Sequence, residues 1–182
     1  MTSDRGVRGA LPADADDVGR LQAALWADAF AADLPEAVLA QCTPAAFSAA
    51  WRTSLSDPPS PGHVLWLAHE GSTVVGLSAV GPSDDPDLHN AAEILVMGVD
   101  VDHRERGHGS RLLAASVEQA RTLSAALLVA WVPFSQETVR AFLQGAGFAP
   151  DGARRTRVVD PQGRTLGEAR MVAQLSSTDT TP

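Results

Sequence analysis

The stretch that decides the fold is "AEILVMGVDVDHRERGHGSRLLAASVEQA", which runs from Ala92 to Ala120. An apolar strand pattern leads into two glycines. A helical pattern with Leu112, Leu113 and Val117 on one side then follows. Because the first amide groups of a helix have no partners inside it, a glycine-bearing turn from strand to helix suits an anion. The stretch therefore predicts an anion-binding loop.

Composition restricts what surrounds this loop. The chain has 182 residues and a formal net charge of −8, from 22 acidic and 14 basic residues. We expect one domain over residues 1–175 and a disordered polar tail over 176–182. The acidic balance gives no general attraction to nucleic acid or anionic membrane, so we expect neither as a partner. The start "MTSDRGVRGA" lacks the apolar core of a secretory signal, which predicts a cytoplasmic protein.

Missing residue types exclude several chemistries. All basic residues are arginine, so the chain has neither a Schiff-base lysine nor a phosphate-loop lysine. Cys42 is the only cysteine, which excludes an intramolecular disulfide and a cysteine zinc site. No metal site is predicted, since His103 and His108 have no third ligand nearby in the sequence.

The rest of the chain alternates between strand and helix patterns. We predict helices after Asp14, around Pro44 and after Ser135, with Asp14 and Ser135 as caps. Two hairpins are predicted, one turning at Gly71 and one over 161–163. The central unit is strand, glycine-bearing loop, helix, strand, helix. These patterns predict an α+β domain.

Two familiar nucleotide-binding patterns do not fit the loop. A Walker loop requires a Gly-Lys pair, and this chain has no lysine. A dinucleotide fingerprint has three glycines, but Leu112 stands at the third position counted from Gly107. What remains is the pattern R-x-x-G-x-G, from Arg104 to Gly109.

The arginines of this loop have two interpretations. Arg104, Arg106 and Arg111 could add charge-assisted hydrogen bonds to a bound anion. In the alternative the loop is solvated and the arginines pair with neighbouring carboxylates, namely Asp100, Asp102 and Glu105. The spacing alone does not decide between them, because short glycine motifs are common.

The R-x-x-G-x-G motif resembles the acyl-CoA signature of the GNAT superfamily of N-acetyltransferases. The segment "QETVRAFLQGAGF", from Gln136 to Phe148, is similar to a second motif of that family. The likeness runs over about Val7 to Leu175. It implies an α+β fold with a mixed, mostly antiparallel sheet of six to seven strands. About four helices would flank this sheet, and strands 4 and 5 would splay apart.

The resemblance also implies a cosubstrate, acetyl-CoA, and the residues that hold it. Its pyrophosphate would lie on the amides from Arg106 to Arg111, and its pantetheine arm along the fourth strand. Gly98 would mark a bulge in that strand, or alternatively a close-packing position. The cofactor-binding positions implied are Met97, Gly98, Val99, Arg104, Arg106, Gly107, His108, Gly109, Ser110, Arg111, Gln136 and Phe142.

The implied activity is transfer of the acetyl group to an amine by direct attack in a ternary complex. Glu93 lies six residues before Val99, the spacing at which histone-acetyltransferase-like members place a glutamate base. The alternative is a solvent-exposed strand start. The amide of Val99 would stabilise the oxyanion. Many members protonate the leaving thiolate with a tyrosine, but Leu143 stands at that position.

The missing tyrosine leaves a second function open, a non-catalytic acyl-CoA-binding or regulatory domain. For the enzyme, the resemblance implies a small-molecule or peptide amine as acceptor and leaves a homodimer open. We interpret Asp84, Asp85 and Asp87 as a solvated loop that could attract a cationic amine.

Overall fold

The structure, a computed structural model that describes residues 4–175, is built on a seven-stranded sheet. Its strands are β1 Arg5–Gly9, β2 Val64–Glu70, β3 Thr73–Pro82, β4 Ala91–Val99, β5 Leu127–Pro133, β6 Ala149–Val158 and β7 Thr165–Gln174. They lie in the order β1-β2-β3-β4-β5-β7-β6, and only β4 and β5 are parallel neighbours. This confirms the predicted mixed, mostly antiparallel sheet. The predicted tail over 176–182 lies outside the described residues.

Helices cover both faces of the sheet. They are α1 Ala15–Ala29, α2 Glu36–Leu39, α3 Pro44–Ser56, α4 His108–Thr122 and α5 Glu137–Gly145. Buried Val18, Leu21 and Leu25 of α1 pack on β2 and β3, and α3 joins the same cluster. On the other face, Leu113 of α4 and Leu143 of α5 pack on β4, β5 and β7. No described helix combines the length and apolarity that a bilayer span requires.

Local signals set most helix starts, although two predicted caps differ. Thr43 accepts a hydrogen bond from the Ala46 amide at 3.2 Å, and Pro44 occupies the first helical position of α3. Asp14 precedes α1, but its carboxylate binds Arg8 and the Leu11 amide. Our cap at Ser135 was wrong.

Gln136 occupies the N-cap position of α5 without a side-chain hydrogen bond to the helix, and the Ser135 hydroxyl donates to Asp33 at 2.6 Å. Such side chains have more than one acceptor or donor within reach. A partner 102 residues away in the sequence therefore binds Ser135, whereas the partners of Asp14 are local.

The two central strands separate after a short paired stretch. β4 pairs with β5 only from Ala91↔Leu127 to Ile94↔Ala130. Beyond that point the ladder between β3 and β4 shifts register, so that Leu95 is an extra residue on β4. A bulge bends its strand and increases its twist. The result is a gap between residues 95–99 of β4 and residues 131–133 of β5, which we call the wedge.

The bulge prediction at Gly98 was wrong in position. Gly98 stays in regular register opposite Leu77, and the shift falls at Leu95. A Cβ atom on Gly98 would lie 2.7 Å from Cδ1 of Leu25 in α1. Gly98 is therefore the close-packing position of our alternative. It lets α1 lie directly on the strand that borders the wedge.

A second close approach fixes α1 against α3. A Cβ atom on Gly19 would lie 2.5 Å from the Ser48 amide nitrogen and 2.7 Å from the Pro44 carbonyl oxygen. Both are backbone atoms, so a larger residue cannot be accommodated by a side-chain rotation. The two helices therefore depend on this glycine for their spacing.

We predict opposite stability effects for two helical glycines. Gly19→Ala should lower the free energy of unfolding by about 1–3 kcal/mol, because overpacking outweighs the better helix propensity of alanine. Gly145→Ala in α5, where a Cβ would meet no atom within 4 Å, should raise it by about 0.4–1 kcal/mol. Urea denaturation measures both, and equal effects would contradict the close packing of α1 and α3.

Candidate functional site

The β4 side of the wedge presents backbone groups that the sheet does not use. The Asp100 amide donates to the Val75 carbonyl at 2.9 Å. Because hydrogen-bonded pairs alternate along an antiparallel ladder, Gly98 also bonds to β3, whereas Met97 and Val99 face away from it. The N–H groups of Met97 and Val99 therefore point into the wedge.

The β5 side is arranged in the same way. The Phe134 amide donates to the Gly167 carbonyl at 3.0 Å, so the alternation turns Trp131 and Pro133 toward the wedge. The Pro133 carbonyl accepts from the Arg140 guanidinium at 2.8 Å. Trp131 is left with a wedge-facing carbonyl, because the Ile94↔Ala130 register places its amide against the Ile94 carbonyl. An extended ligand with its own amides could pair with either strand.

The loop after β4 places the start of α4 beside the wedge. Gly107 lies in the left-handed region at φ 82° and precedes the first helical residue, His108. The first-turn amides of α4, including those of Gly109 and Ser110, have no acceptor within the helix. A Cβ atom on Gly109 would lie 3.5 Å from the Phe142 ring, so α4 and α5 meet here.

The loop arginines are held by partners that are distant in the sequence. Arg104 donates to Asp28 at 2.7 Å and to the Val99 carbonyl at 3.1 Å. Arg106 donates to Glu70 at 3.0 Å, and Arg111 to the Arg106 carbonyl at 3.2 Å. The expected partners Asp100, Asp102 and Glu105 make none of these bonds. The side chains therefore shape the loop, while the amides stay available.

Glu70 at the end of β2 anchors the loop. Burial alone would raise the pKa of its carboxyl, but Arg5 and Arg106 hold that pKa below its usual range. His103 Nε2 also lies 3.7 Å from a Glu70 oxygen. One carboxylate thus connects β1, β2 and the loop.

His108 contributes its backbone rather than its side chain. We expected a loop side chain, but the ring is fully buried at the start of α4. Neither ring nitrogen has a hydrogen-bond partner among residues 4–175, and Nε2 lies 3.9 Å from Glu70. Burial lowers the pKa of the ring, and Glu70 acts in the opposite direction. The neutral ring therefore packs beneath the loop.

Glu93 lies where β4 and β5 begin to separate. It pairs with Val129, and since Ala92 and Ile94 face α4, its side chain points to the opposite face. The carboxylate is half-buried and accepts a hydrogen bond from the Ser83 hydroxyl at 3.1 Å. Burial raises its pKa, an effect that this bond and Arg155 partly offset. The alternative of a fully exposed strand start does not apply.

The remaining predicted positions lie on α5. Gln136 precedes the helix, and its side-chain amide lies 3.5 Å from the Ala29 carbonyl. Phe142 is half-exposed at the mouth of the wedge, beside Gly109. Leu143, at the tyrosine position, is buried in the core cluster of α4, α5 and the sheet. It offers the wedge no polar group.

The acidic loop is not wholly solvated, which corrects our interpretation. Asp85 pairs with buried Arg170 at 2.8 Å, and Arg170 also pairs with Asp151 at 2.7 Å. Burial would raise the pKa of Asp85, but Arg170 holds it below its usual range. The Asp85 carboxylate is therefore used in an ion pair within the protein and does not attract a ligand.

Sequence reasoning missed a polar cluster near Glu93. Trp131 on β5 lies beneath the guanidinium of Arg155, whose Cζ is 4.4 Å from the ring centroid. Arg155 and Arg157 of β6 both pair with Glu168 of β7. The spacing of Arg155 and Arg157 places them on one face of a strand. The local sequence does not indicate which face of the sheet this is or which residues they contact.

The raised pKa of Glu93 predicts a pH-dependent stability difference. In the unfolded chain this glutamate ionises at a pKa of about 4.3, whereas in the folded protein its pKa is higher. The free energy of unfolding of the wild type therefore falls as pH rises from the unfolded pKa through the folded pKa. Glu93→Gln avoids this loss. The melting temperature of this variant minus that of the wild type should therefore increase from pH 4 to pH 8.

Glu118→Gln, at an exposed carboxylate of α4, is the matched control. Thermal unfolding across this pH range measures both variants. A Glu93→Gln difference that stays flat or declines with pH would contradict the buried, proton-retaining carboxyl.

Solved structures with the same fold cover almost the whole chain. Ribosomal-protein-alanine N-acetyltransferase from Brucella melitensis has 22% identity and a TM-score of 0.72, covering 93% of this chain and 99% of its own. PaiA N-acetyltransferase from Thermoplasma acidophilum, in complex with coenzyme A, has 14% identity and a TM-score of 0.68, covering 94% and 99%. YncA from Salmonella typhimurium, with its cofactor acetyl-CoA, has 20% identity and a TM-score of 0.69, covering 98% of each chain.

Family comparison agrees with the wedge and the loop. No curated protein sequence matches the chain significantly. A model of the acetyltransferase (GNAT) family matches residues 24–148, which include the end of α1, the wedge strands, the glycine loop and α5. The chain therefore belongs to the GNAT family of acetyltransferases.

Proposed function

We propose that this protein is an N-acetyltransferase that transfers the acetyl group of acetyl-CoA to an amine by direct attack in a ternary complex. The observation that carries the proposal is the wedge. Its unused N–H groups at Met97 and Val99 lie beside a loop that presents helix-start amides. The coenzyme-bound structures of PaiA and YncA support acyl-CoA as the donor class.

The chain's own residues fit the two halves of such a donor. A linear arm with amide groups could pair with β4 as an added strand, at Met97 and Val99. Pyrophosphate suits the amides from Gly107 to Arg111, where the helix dipole adds partial positive charge. Neutral amides bind an anion without a basic surface. An acidic protein can therefore hold this cosubstrate.

The proposed reaction replaces the C–S bond of the thioester by a C–N bond and removes two protons from the acceptor ammonium. Glu93 accepts a proton from the acceptor ammonium, directly or through water, and the free amine attacks the thioester carbon. The Val99 N–H stabilises the negative oxygen that develops. The new C–N bond remains as the C–S bond breaks, and the amide nitrogen releases its second proton to solvent. The coenzyme leaves as a thiolate that takes a proton from water. Leu143 supplies none.

A non-catalytic acyl-CoA-binding domain is the second candidate, and buried Leu143 is the observation that favours it. The two candidates make the same prediction for cofactor binding. They differ in turnover. Thiol release across a panel of amines separates them, because only the enzyme consumes acetyl-CoA.

Acetyl-CoA should raise the melting temperature of the wild-type protein, by an amount that corresponds to about 2.7 kcal/mol at 100 times its dissociation constant. Gly107→Ala should weaken this binding at least tenfold, because alanine disfavours φ 82° and the loop would rearrange. Gly163→Ala is the matched control, with φ 83° in the β6–β7 turn. It should destabilise similarly and leave binding unchanged. Absence of any shift with acetyl-CoA would refute the donor assignment.

Glu93→Gln should lower kcat/KM by about 10²–10⁴ and abolish the acidic limb of the pH–rate profile, because amide cannot accept the proton. The melting shift caused by acetyl-CoA should be retained, since Glu93 lies outside the loop. Steady-state thiol release against pH measures this, with Glu118→Gln as control. Unchanged pH–rate behaviour would assign the base elsewhere, and binding without release on any amine would favour the non-catalytic domain.

A further inference from the structure

The polar cluster beside Glu93 lies on the face of the sheet that α4 and α5 leave open. Glu93 pairs with Val129 on β5, and Trp131 is the next residue of β5 on the same face. Trp131 pairs with Arg170, and Glu168, two residues along β7, pairs with Arg155 of β6. Side chains from four strands therefore converge near the proposed base.

The cluster holds three guanidiniums and three carboxylates, which are unevenly distributed. Arg170 is neutralised twice over, by Asp85 and by Asp151. Glu168, only 3% exposed, is shared by two guanidiniums: Arg155 binds it through Nε, and Arg157 lies 3.5 Å away. The guanidiniums of Arg155 and Arg157 thus share one carboxylate on the solvent-exposed side of the cluster. Asp85 also acts on Arg155 electrostatically, so what this pair offers a further carboxylate is its unused hydrogen-bond donors.

Arg155 is held in a fixed position with part of its binding capacity unused. Its Nε is bound to Glu168, and its plane lies over the Trp131 ring. Its two terminal amino groups have no hydrogen-bond partner in the part of the chain that the structure describes, and 37% of the side chain is exposed. A guanidinium anchored in this way presents a preorganised fork for a carboxylate.

We infer that the acceptor is an amine that also carries a carboxylate, the class of small amino acids, and that Arg155, assisted by Arg157, binds this carboxylate. This rests on the proposed function, since the amine must reach Glu93. Trp131 lies one strand and two residues from Glu93, about 8 Å between Cα atoms. One small molecule spans such a distance. Arg155 thus determines acceptor specificity and does not itself transfer a proton, while its charge lowers the pKa of Glu93.

The opposing explanation is purely structural. A buried carboxylate such as Glu168 requires a partner, and Arg155 supplies it. That role predicts lower stability after substitution and an equal loss of activity with every acceptor. The specificity role predicts a loss confined to carboxylate-bearing acceptors.

The test compares free L-amino acids, the matching L-amino acid amides and the matching amines without any carboxyl group, with thiol release as the readout. Wild type should favour the free amino acids at least tenfold in kcat/KM over their amides. Arg155→Gln should lower kcat/KM for free amino acids about 10–100-fold, mainly through KM, as expected for a lost charge-assisted hydrogen bond. Activity with amides should change less than about threefold, so the preference disappears.

Arg164→Gln, at an exposed arginine of the β6–β7 turn, is the control and should keep the preference. Arg157→Gln leaves the Arg155–Glu168 pair intact and should reduce the preference several-fold, which keeps the test valid if Arg155→Gln misfolds. If the wild type turned over acceptors without preferring those with a carboxylate, or if Arg155→Gln lost activity equally with all acceptors, the specificity role would be overturned. The proposed function would be unaffected by either result. Absence of thiol release with every acceptor would overturn the proposed function together with it.

Discussion

One extra residue in β4 is the constraint on which the rest of the structure depends. Leu95 shifts the ladder against β3, and pairing between β4 and β5 ends at Ile94. Buried or half-buried backbone groups require hydrogen-bond partners, so a split sheet is costly unless something fills the gap. Met97 and Val99 on one side and Trp131 on the other are left facing that gap. The fold is thereby prepared for an extended, amide-bearing ligand.

The electrostatics of the loop follow from this arrangement. In a chain of net charge −8, Arg104 and Arg106 first suggest a basic patch. Instead Asp28 and Glu70 engage them, which ties the loop to α1 and β2. The groups left to meet an anion are the amides at the start of α4. Under the proposed function, binding of the pyrophosphate would depend on backbone geometry at Gly107 more than on surface charge.

The proposed reaction uses one carboxyl group, that of Glu93, and backbone amides. Leu143 is part of the core, so no side chain at that position can deliver a proton to a leaving group. Glu93, by contrast, gains a raised pKa from its burial between strands, which suits a base near neutral pH. A thiolate is a tolerable leaving group in water. Under the proposed function, removal of a proton from the amine is therefore the step that the side chains of this site assist.

The sequence by itself determined the order of helices and strands, both hairpins, the glycine loop at a helix start and the family resemblance. These depend on local features, such as apolar periodicity, turn glycines and the motif from Arg104 to Gly109. Only the tertiary structure decided where the bulge falls, which carboxylates hold the arginines, and that Asp85 is committed to Arg170. It also brought Trp131 and Arg155 together beside Glu93. These depend on strand register and on partners up to 85 residues apart, which no local pattern records.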